Sequence, residues 1–355
     1  MADIKDVARQ AGVSISTVSR VINDSKAVSP ELKSKVNQAI ARIGYSANSV
    51  ARGLKIFKTN NIAIIITSVS RTFFASVLEG ANNAADQLGY SMIIAETHDS
   101  LEREMQLVDA FASQWVDGIV LASSAYGNDP KTVQYIEKLQ SLEKKGMRIP
   151  VITLEYALDS QYIDAVVIDH EKAAYKAVCY LINSINRKNI IHISLPKNHL
   201  MGRMRIAGYK RAFEESGLVY DENNIIAGDY TTYSGYKIVK QLLADNRKFD
   251  AIFCANDQMA VGAIKACEEF KILIPEQVAI VGNDDIFAAS IVSPSLTSIS
   301  VPKFELGATA VRRMHEIIGG DGTRKPRQII SLDTSFEERE STVRNAKRSL
   351  KYLEW

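Results

Sequence analysis

Hydrophobic positions follow two different rhythms along the 355 residues, and the change falls at Asn60-Asn61. Before it, Ile4, Val7, Ala8 and Ala11 hold the i, i+3, i+4, i+7 spacing of one helix face. Asp3 can cap that helix and Gly12 breaks it. Ser14 opens a second helix with Val18, Val21 and Ile22 inward, and Asn23-Asp24 ends it. Ser29-Pro30-Glu31 opens a third: a capping serine, proline at the first helical position, and an acid at the positive helix end. Leu32, Val36, Ala39, Ile40 and Ile43 line its buried face, and Gly44 stops it. Three short helices with a glycine turn between the first two predict a helix-turn-helix. The plainer reading, a structural bundle, leaves the outer face of the second helix unexplained. Ile15, Ser16, Ser19 and Arg20 stand there, with Thr17 near its start. Short side chains permit close approach to a major groove, and arginine can bond guanine bidentately.

After residue 60 the rhythm alternates between strand and helix. The apolar run at 62–67 reads as a buried parallel strand, followed by a helix over about 74–88. Strand SMIIAE, helix 101–114, strand DGIVLAS, a helix around 131–145, strand PVITLEY, strand AVVID and a helix at 171–185 continue the alternation. It restarts with strand NIIHISL, helix 202–216, strand IIAGDY, helix 233–244, strand AIFCAN, helix 257–270 and strand VAIVGND. This predicts parallel sheets covered on both faces, and the restart near residue 190 predicts two similar lobes. Ligands of such folds sit beyond the carboxyl ends of strands. That rule selects residues 68–74, Glu155-Tyr156, Asp229-Tyr230, Asn256-Asp257 and Asn283-Asp284-Asp285, with Asp169 a weaker candidate.

Composition narrows the class. A chain 46% hydrophobic and 24% charged is that of a soluble globular protein of two or three domains. No apolar run approaches the roughly 20 residues of a membrane helix. The charged N-terminus has no signal-peptide core, so a cytoplasmic protein without membrane contact is expected. Cys179, Cys254 and Cys267 form no CxxC pair, and the five histidines show no metal spacing, so neither metal nor cofactor is expected. Residues 1–60 hold ten Lys/Arg against four Asp/Glu, whereas the remainder holds 33 against 37. A basic head on a mildly acidic body fits a head that meets a polyanion.

The string IKDVARQAGVSISTVSRVIN, followed by YSANSVARGL, resembles the headpiece and hinge of the lactose-repressor (LacI/GalR) family. Ala47 departs from that pattern, where proline is usual. The resemblance implies an operator of double-stranded DNA as partner, contacted by Ile15, Ser16, Thr17, Ser19, Arg20 and Asn23. It implies a hinge helix in the minor groove, with Asn48 or Ser49 as cap, Arg52 facing DNA and Leu54 as a wedge between base pairs. A wedge costs unstacking but bends DNA onto more protein surface. Gly53 and the short length should leave this helix loose off DNA; the plainer reading of Leu54 is a packed linker residue.

The family also implies a fold: an all-α headpiece joined to an α/β sensor of two periplasmic-binding-protein-like lobes. The sensor would hold a small-molecule effector, a sugar or sugar derivative. Arg205 stands in the family's Arg-x-x-Gly-aromatic motif, Asn256 and Asp257 in Asn-Asp-Gln-Met-Ala, and Asp284 in Gly-Asn-Asp-Asp, where Asn283 replaces the usual aromatic. Phe73, Phe74, Tyr156 and Tyr230 would supply aromatic plates and Glu155 a further carboxylate. Charged groups at a rim with aromatic faces suit a polyol ring. Phe73 and Phe74 serve equally well as core, Asp257 and Asp284 as helix caps, and Arg205 as half of an ion pair. A nucleobase effector or a phosphocarrier-protein partner remains open. A sugar-acting enzyme is the competing class, although no nucleophile elbow, P-loop or GxGxxG occurs. The expected domains are a headpiece at 1–46, a hinge at 47–60, a sensor and dimerisation domain at 61–341 and a basic tail at 342–355. Beyond Val343 that tail holds only Leu350 and Leu353 as large aliphatics, too few for a tetramerising heptad repeat, so a homodimer on a near-palindromic operator is expected.

Overall fold

The computed structural model describes residues 2–23, 28–45, 59–113, 116–127, 129–144, 146–196, 199–320, 326–344 and 346. The chain divides into two compact units, Met1–Thr59 and Asn60–Trp355.

In the first unit α1 (Ile4–Ala11), α2 (Ile15–Asn23) and α3 (Pro30–Ile43) pack around Val7, Ala8, Val18, Val36 and Ala39. Local chemistry sets their ends. Asp3 accepts from the Asp6 backbone N–H at 2.9 Å while Asp6 accepts from that of Asp3 at 3.0 Å, a reciprocal capping box. Gly12 takes the left-handed turn at φ 65°. Ser14 Oγ accepts from the Thr17 N–H at 3.1 Å, and Ser29 Oγ from that of Leu32 at 3.4 Å. The hinge candidates Asn48, Arg52 and Leu54 lie outside the described residues, as does the Asn23 side chain.

The second unit is built on two six-stranded sheets. Its elements in order are β1 (Asn61–Ile66), α4 (Thr72–Leu88), β2 (Ser91–Glu96), α5 (Leu101–Ser113), β3 (Gly118–Leu121), α6 (Pro130–Gln140), β4 (Glu143–Lys144), β5 (Met147–Arg148), β6 (Val151–Glu155), β7 (Asp164–Ile168) and α7 (His170–Cys179). They continue with β8 (Ile190–Ser194), α8 (Leu200–Glu215), β9 (Ile225–Ala227), α9 (Thr232–Ala244), β10 (Ala251–Cys254), α10 (Asp257–Glu269), β11 (Ala279–Asp284), α11 (Phe287–Ile291), β12 (Thr297–Ser300), α12 (Lys303–Ile318), β13 (Ile329–Leu332) and β14 (Ser335–Glu337). The first sheet runs β13-β7-β6-β3-β1-β2, all parallel; the second runs β14-β12-β11-β10-β8-β9, parallel except for β14. Ile62 to Ile66 of β1 are wholly buried, as a strand covered on both faces requires.

The chain passes between lobes three times, between β7 and α7, between β12 and α12, and between β13 and β14. The restart near residue 190 therefore misplaces the first boundary. Helix α7 already packs on α8 in the second lobe, and α12 returns to pack on α4 in the first. Its Gly307 lets the backbones touch: a Cβ there would stand 1.9 Å from the Val77 carbonyl oxygen. The helix expected at 131–145 stops at Gln140, where β4 and β5 form a small antiparallel ribbon.

Candidate functional site

On the headpiece, Ile15 is 46% exposed, and Ser16 and Arg20 are also exposed. Thr17 and Ser19 are half-buried. Ser16 and Thr17 hydroxyls lie 2.7 and 2.9 Å from Ser14 Oγ, so both take part in the helix start. The α2 surface thus offers an apolar residue, a hydroxyl and one guanidinium on a helix anchored by Val18.

The larger unit carries a cleft between its lobes. Thr67, Arg71, Phe73, Phe74, Ser123, Glu155 and Tyr156 line it from the first lobe. His199, Met201, Arg205, Tyr230, Asn256, Gln258 and Asp284 line it from the second. Three of these have positive-φ backbones at or just after strand ends: Glu155 at φ 69° and Asp284 at φ 112° close β6 and β11, and Tyr230 at φ 73° follows β9. Non-glycine residues held there cost about 1–3 kcal/mol each, and such strain clusters at functional sites.

Arg205 is the buried centre, 3% exposed on α8. It donates to the Ala255 carbonyl at 2.7 Å and to His170 Nδ1 at 3.3 Å, and stands 3.9 Å from an Asp284 oxygen. A guanidinium can only donate, so Nδ1 of His170 accepts and the ring proton sits on Nε2. That atom lies 3.6 Å from Glu155 Oε1. Burial holds His170 well below the ordinary histidine range, helped by Arg205 and His199. Burial also pushes Glu155 up to about 7, with Arg205 opposing and Asp284 adding to the rise. Asp284 rises for the same first reason, opposed by Arg205 and Lys303.

Asp284 is held from behind. Lys303, 7% exposed at the start of α12, donates to the carbonyls of Asp284, Asp285 at 2.9 Å and Val301 at 3.3 Å. The backbone that carries the cleft carboxylate is thereby tied to one of the three inter-lobe crossings.

Other candidates have separate tasks. Asn256 lines the cleft, but its amide caps the Met259 N–H at 3.0 Å and donates to the Tyr230 carbonyl at 3.0 Å. The Tyr156 hydroxyl donates to the Ser123 carbonyl at 2.9 Å, leaving its ring for the cleft. Phe73 and Phe74 stand edge to face at 5.2 Å on the wall. Asp257 is the exception. Its oxygens accept from Ser298 Oγ at 2.6 Å and the Ile286 N–H at 2.8 Å, away from the cleft. It joins α10 to the segment after β11, so the sequence-based expectation that it meets a ligand is replaced by a structural task. Arg71 and His199 line the cleft but were not singled out by sequence. Arg71 lay within the selected segment 68–74; His199 precedes a helix and carries no motif signal.

No helix among the described residues is long and apolar enough to cross a membrane. Among them, no group of three His, Cys, Asp or Glu could hold a metal ion.

The comparisons with known proteins cover both units. Residues 3–48 match the bacterial regulatory proteins of the lacI family. Residues 59–340 match the periplasmic binding proteins and sugar binding domain of the LacI family. Catabolite control protein A of Priestia megaterium is 35% identical over 343 residues, 96% of this chain and 98% of that protein. The lac repressor dimer bound to operator and the anti-inducer ONPF has TM-score 0.83 at 26% identity, with 96% of this chain and 99% of that one covered. The transcriptional regulator CelR in complex with cellobiose has TM-score 0.69 at 28% identity, with 96% and 100% covered. These relatives are regulators, and with the exposed α2 face they make this chain a DNA-binding transcription regulator rather than an enzyme, a member of the LacI family.

Proposed function

We propose that this regulator represses transcription from a near-palindromic operator as a homodimer, under control of a neutral sugar or sugar derivative bound between the lobes. Residues 1–46 read the operator, 47–60 link and wedge it, and 61–341 sense and dimerise; the working compartment is the cytoplasm. One observation carries the effector reading. Each cleft guanidinium already faces carboxylates, Arg205 with Asp284 and Arg71 with Asp99. The balanced rim suits hydroxyl groups better than a phosphate, with the Phe73, Phe74 and Tyr156 rings against C–H faces. The cellobiose bound by CelR is of this chemistry.

A thermal-shift screen of sugars, sugar phosphates and nucleobases tests it. A neutral sugar at saturating concentration should raise the melting temperature and change operator affinity. Response to a sugar phosphate or nucleobase alone would replace the reading, and an operator affinity changed only by a phosphocarrier protein would move control to a protein partner.

Arg20→Ala is expected to weaken specific operator binding by about 1–3 kcal/mol and nonspecific DNA binding much less. Gel-shift titrations against operator and scrambled DNA measure the difference. Equal losses would make Arg20 a phosphate contact. For the dimer, Phe287 (52% exposed) and Ile291 (58%) on α11 and Leu273 (60%) after α10 leave apolar surface bare. Phe287→Lys with Ile291→Lys should raise the dimer dissociation constant at least tenfold in sedimentation equilibrium; an unchanged constant would remove this face from the interface.

A further inference from the structure

The cleft encloses only about 30 Å³ of free space, room for a water or two, whereas small-molecule pockets run to several hundred Å³. Side chains of the two lobes meet beside it. Tyr126, in the segment after β3 of the first lobe, places its hydroxyl 3.0 Å from His199 Nε2 of the second. The Tyr230 hydroxyl lies 2.7 Å from the same nitrogen. Arg71 of the first lobe then covers Tyr230, its guanidinium carbon 3.6 Å from the ring centroid. Arg71 is itself fixed by Thr67 at 2.8 Å and by Asp99. The Tyr126 and His199 rings stack tilted at 4.8 Å, and Tyr156 lies behind Tyr126 at 5.6 Å.

We infer that Tyr126, His199, Tyr230 and Arg71 form a latch that holds the two lobes shut, so that an effector is admitted only when the latch parts. Two contacts cross between the lobes, Tyr126 with His199 and Arg71 with Tyr230, while the His199–Tyr230 bond braces the second side and Thr67, Asp99 and Tyr156 brace the first. The contacts are of the kind that strengthen away from water: a cation over a ring and hydroxyl–imidazole bonds. The groups facing His199 support an uncharged ring there. Burial, with Arg71, Arg205 and Arg203 nearby, lowers its pKa to about 3, so the imidazole is neutral under ordinary conditions. Lobe closure of this kind is a common device by which a binding site opens and shuts.

The gating role rests on the effector reading above, but the latch itself is measurable with no effector present, so the two can fail separately. Tyr126→Phe keeps the ring over Tyr156 and removes only the inter-lobe hydrogen bond. The full-length chain carries spin labels at Gln134→Cys and Glu214→Cys in a Cys179→Ser background, diluted with unlabelled chains. Tyr126→Phe and His199→Leu should each raise the ratio of open to shut lobes about tenfold, the factor one lost hydrogen bond sets. Nitration of Tyr156 by tetranitromethane reads the same ratio when the open fraction is small, and should accelerate about tenfold in Tyr126→Phe. Tyr90→Phe is the matched control. It loses a tyrosine–histidine contact of 3.2 Å to His315 inside the first lobe and should change neither readout. Unchanged distances and nitration in both latch variants would overturn the inference, and so would an equal change in Tyr90→Phe.

Discussion

Asp284→Asn is expected to give a regulator that binds its operator normally without effector but answers effector only at concentrations about ten- to a hundredfold higher. The carboxylate stands at the strand end where this fold presents ligands, 3.9 Å from Arg205. Losing a charged hydrogen bond costs about 1.5–3 kcal/mol, which is that factor in affinity. A ligand shifts the DNA-binding equilibrium only through its different affinity for two states, so the dose–response midpoint moves and basal operator affinity does not. Asparagine keeps the shape, and the backbone remains held by Lys303. Arg205→Ala should lose more, because the Ala255 carbonyl and His170 lose their donor as well. The measurement is operator affinity against concentration of the effector from the screen. An unchanged midpoint in Asp284→Asn would place the effector elsewhere, and a large change in effector-free operator affinity would make Asp284 structural.

Glu155→Gln is expected to stabilise the protein above neutral pH and to flatten its pH dependence. Burial raises the Glu155 pKa from 4.5 to about 7 in the folded chain. Between those values the folded state keeps a proton that the unfolded chain has released. Stability is therefore highest, as far as this group is concerned, below about pH 4.5. It falls as pH rises and is fully lost above about 7, by on the order of 3 kcal/mol. Glutamine imitates the protonated acid and carries no such penalty. Urea titrations at pH 5 and pH 8 should show the variant gaining on wild type at pH 8 and much less at pH 5. Parallel pH profiles would mean that Glu155 is already ionised in the folded protein and that the Arg205 side of its surroundings outweighs burial.

The headpiece was legible because its signals are local. Asp3, Gly12, Ser14, Ser29 and Gly44 act within a turn of their own helix, and the buried faces repeat at helical spacing. The strand–helix alternation was legible for the same reason, and with it the strand ends that carry Glu155, Tyr230 and Asp284. The strand ends also carry Asn256; the family resemblance added Arg205.

Only the tertiary structure decided which lobe each element joins. The passage of α7 into the second lobe and of α12 back into the first depends on packing between segments far apart in the chain, and the rhythm near residue 190 is blind to it. It also separated Asp257 from Asp284, two acids in similar positions after strands. One turns to Ser298, 41 residues away, while the other faces Arg205. The meeting of Tyr126 with His199 spans 73 residues and two lobes, and the high pKa of Glu155 comes from its burial. A sequence states which groups are available near each strand end; three crossings of the chain determine which of them face one another, and how much water is left between them.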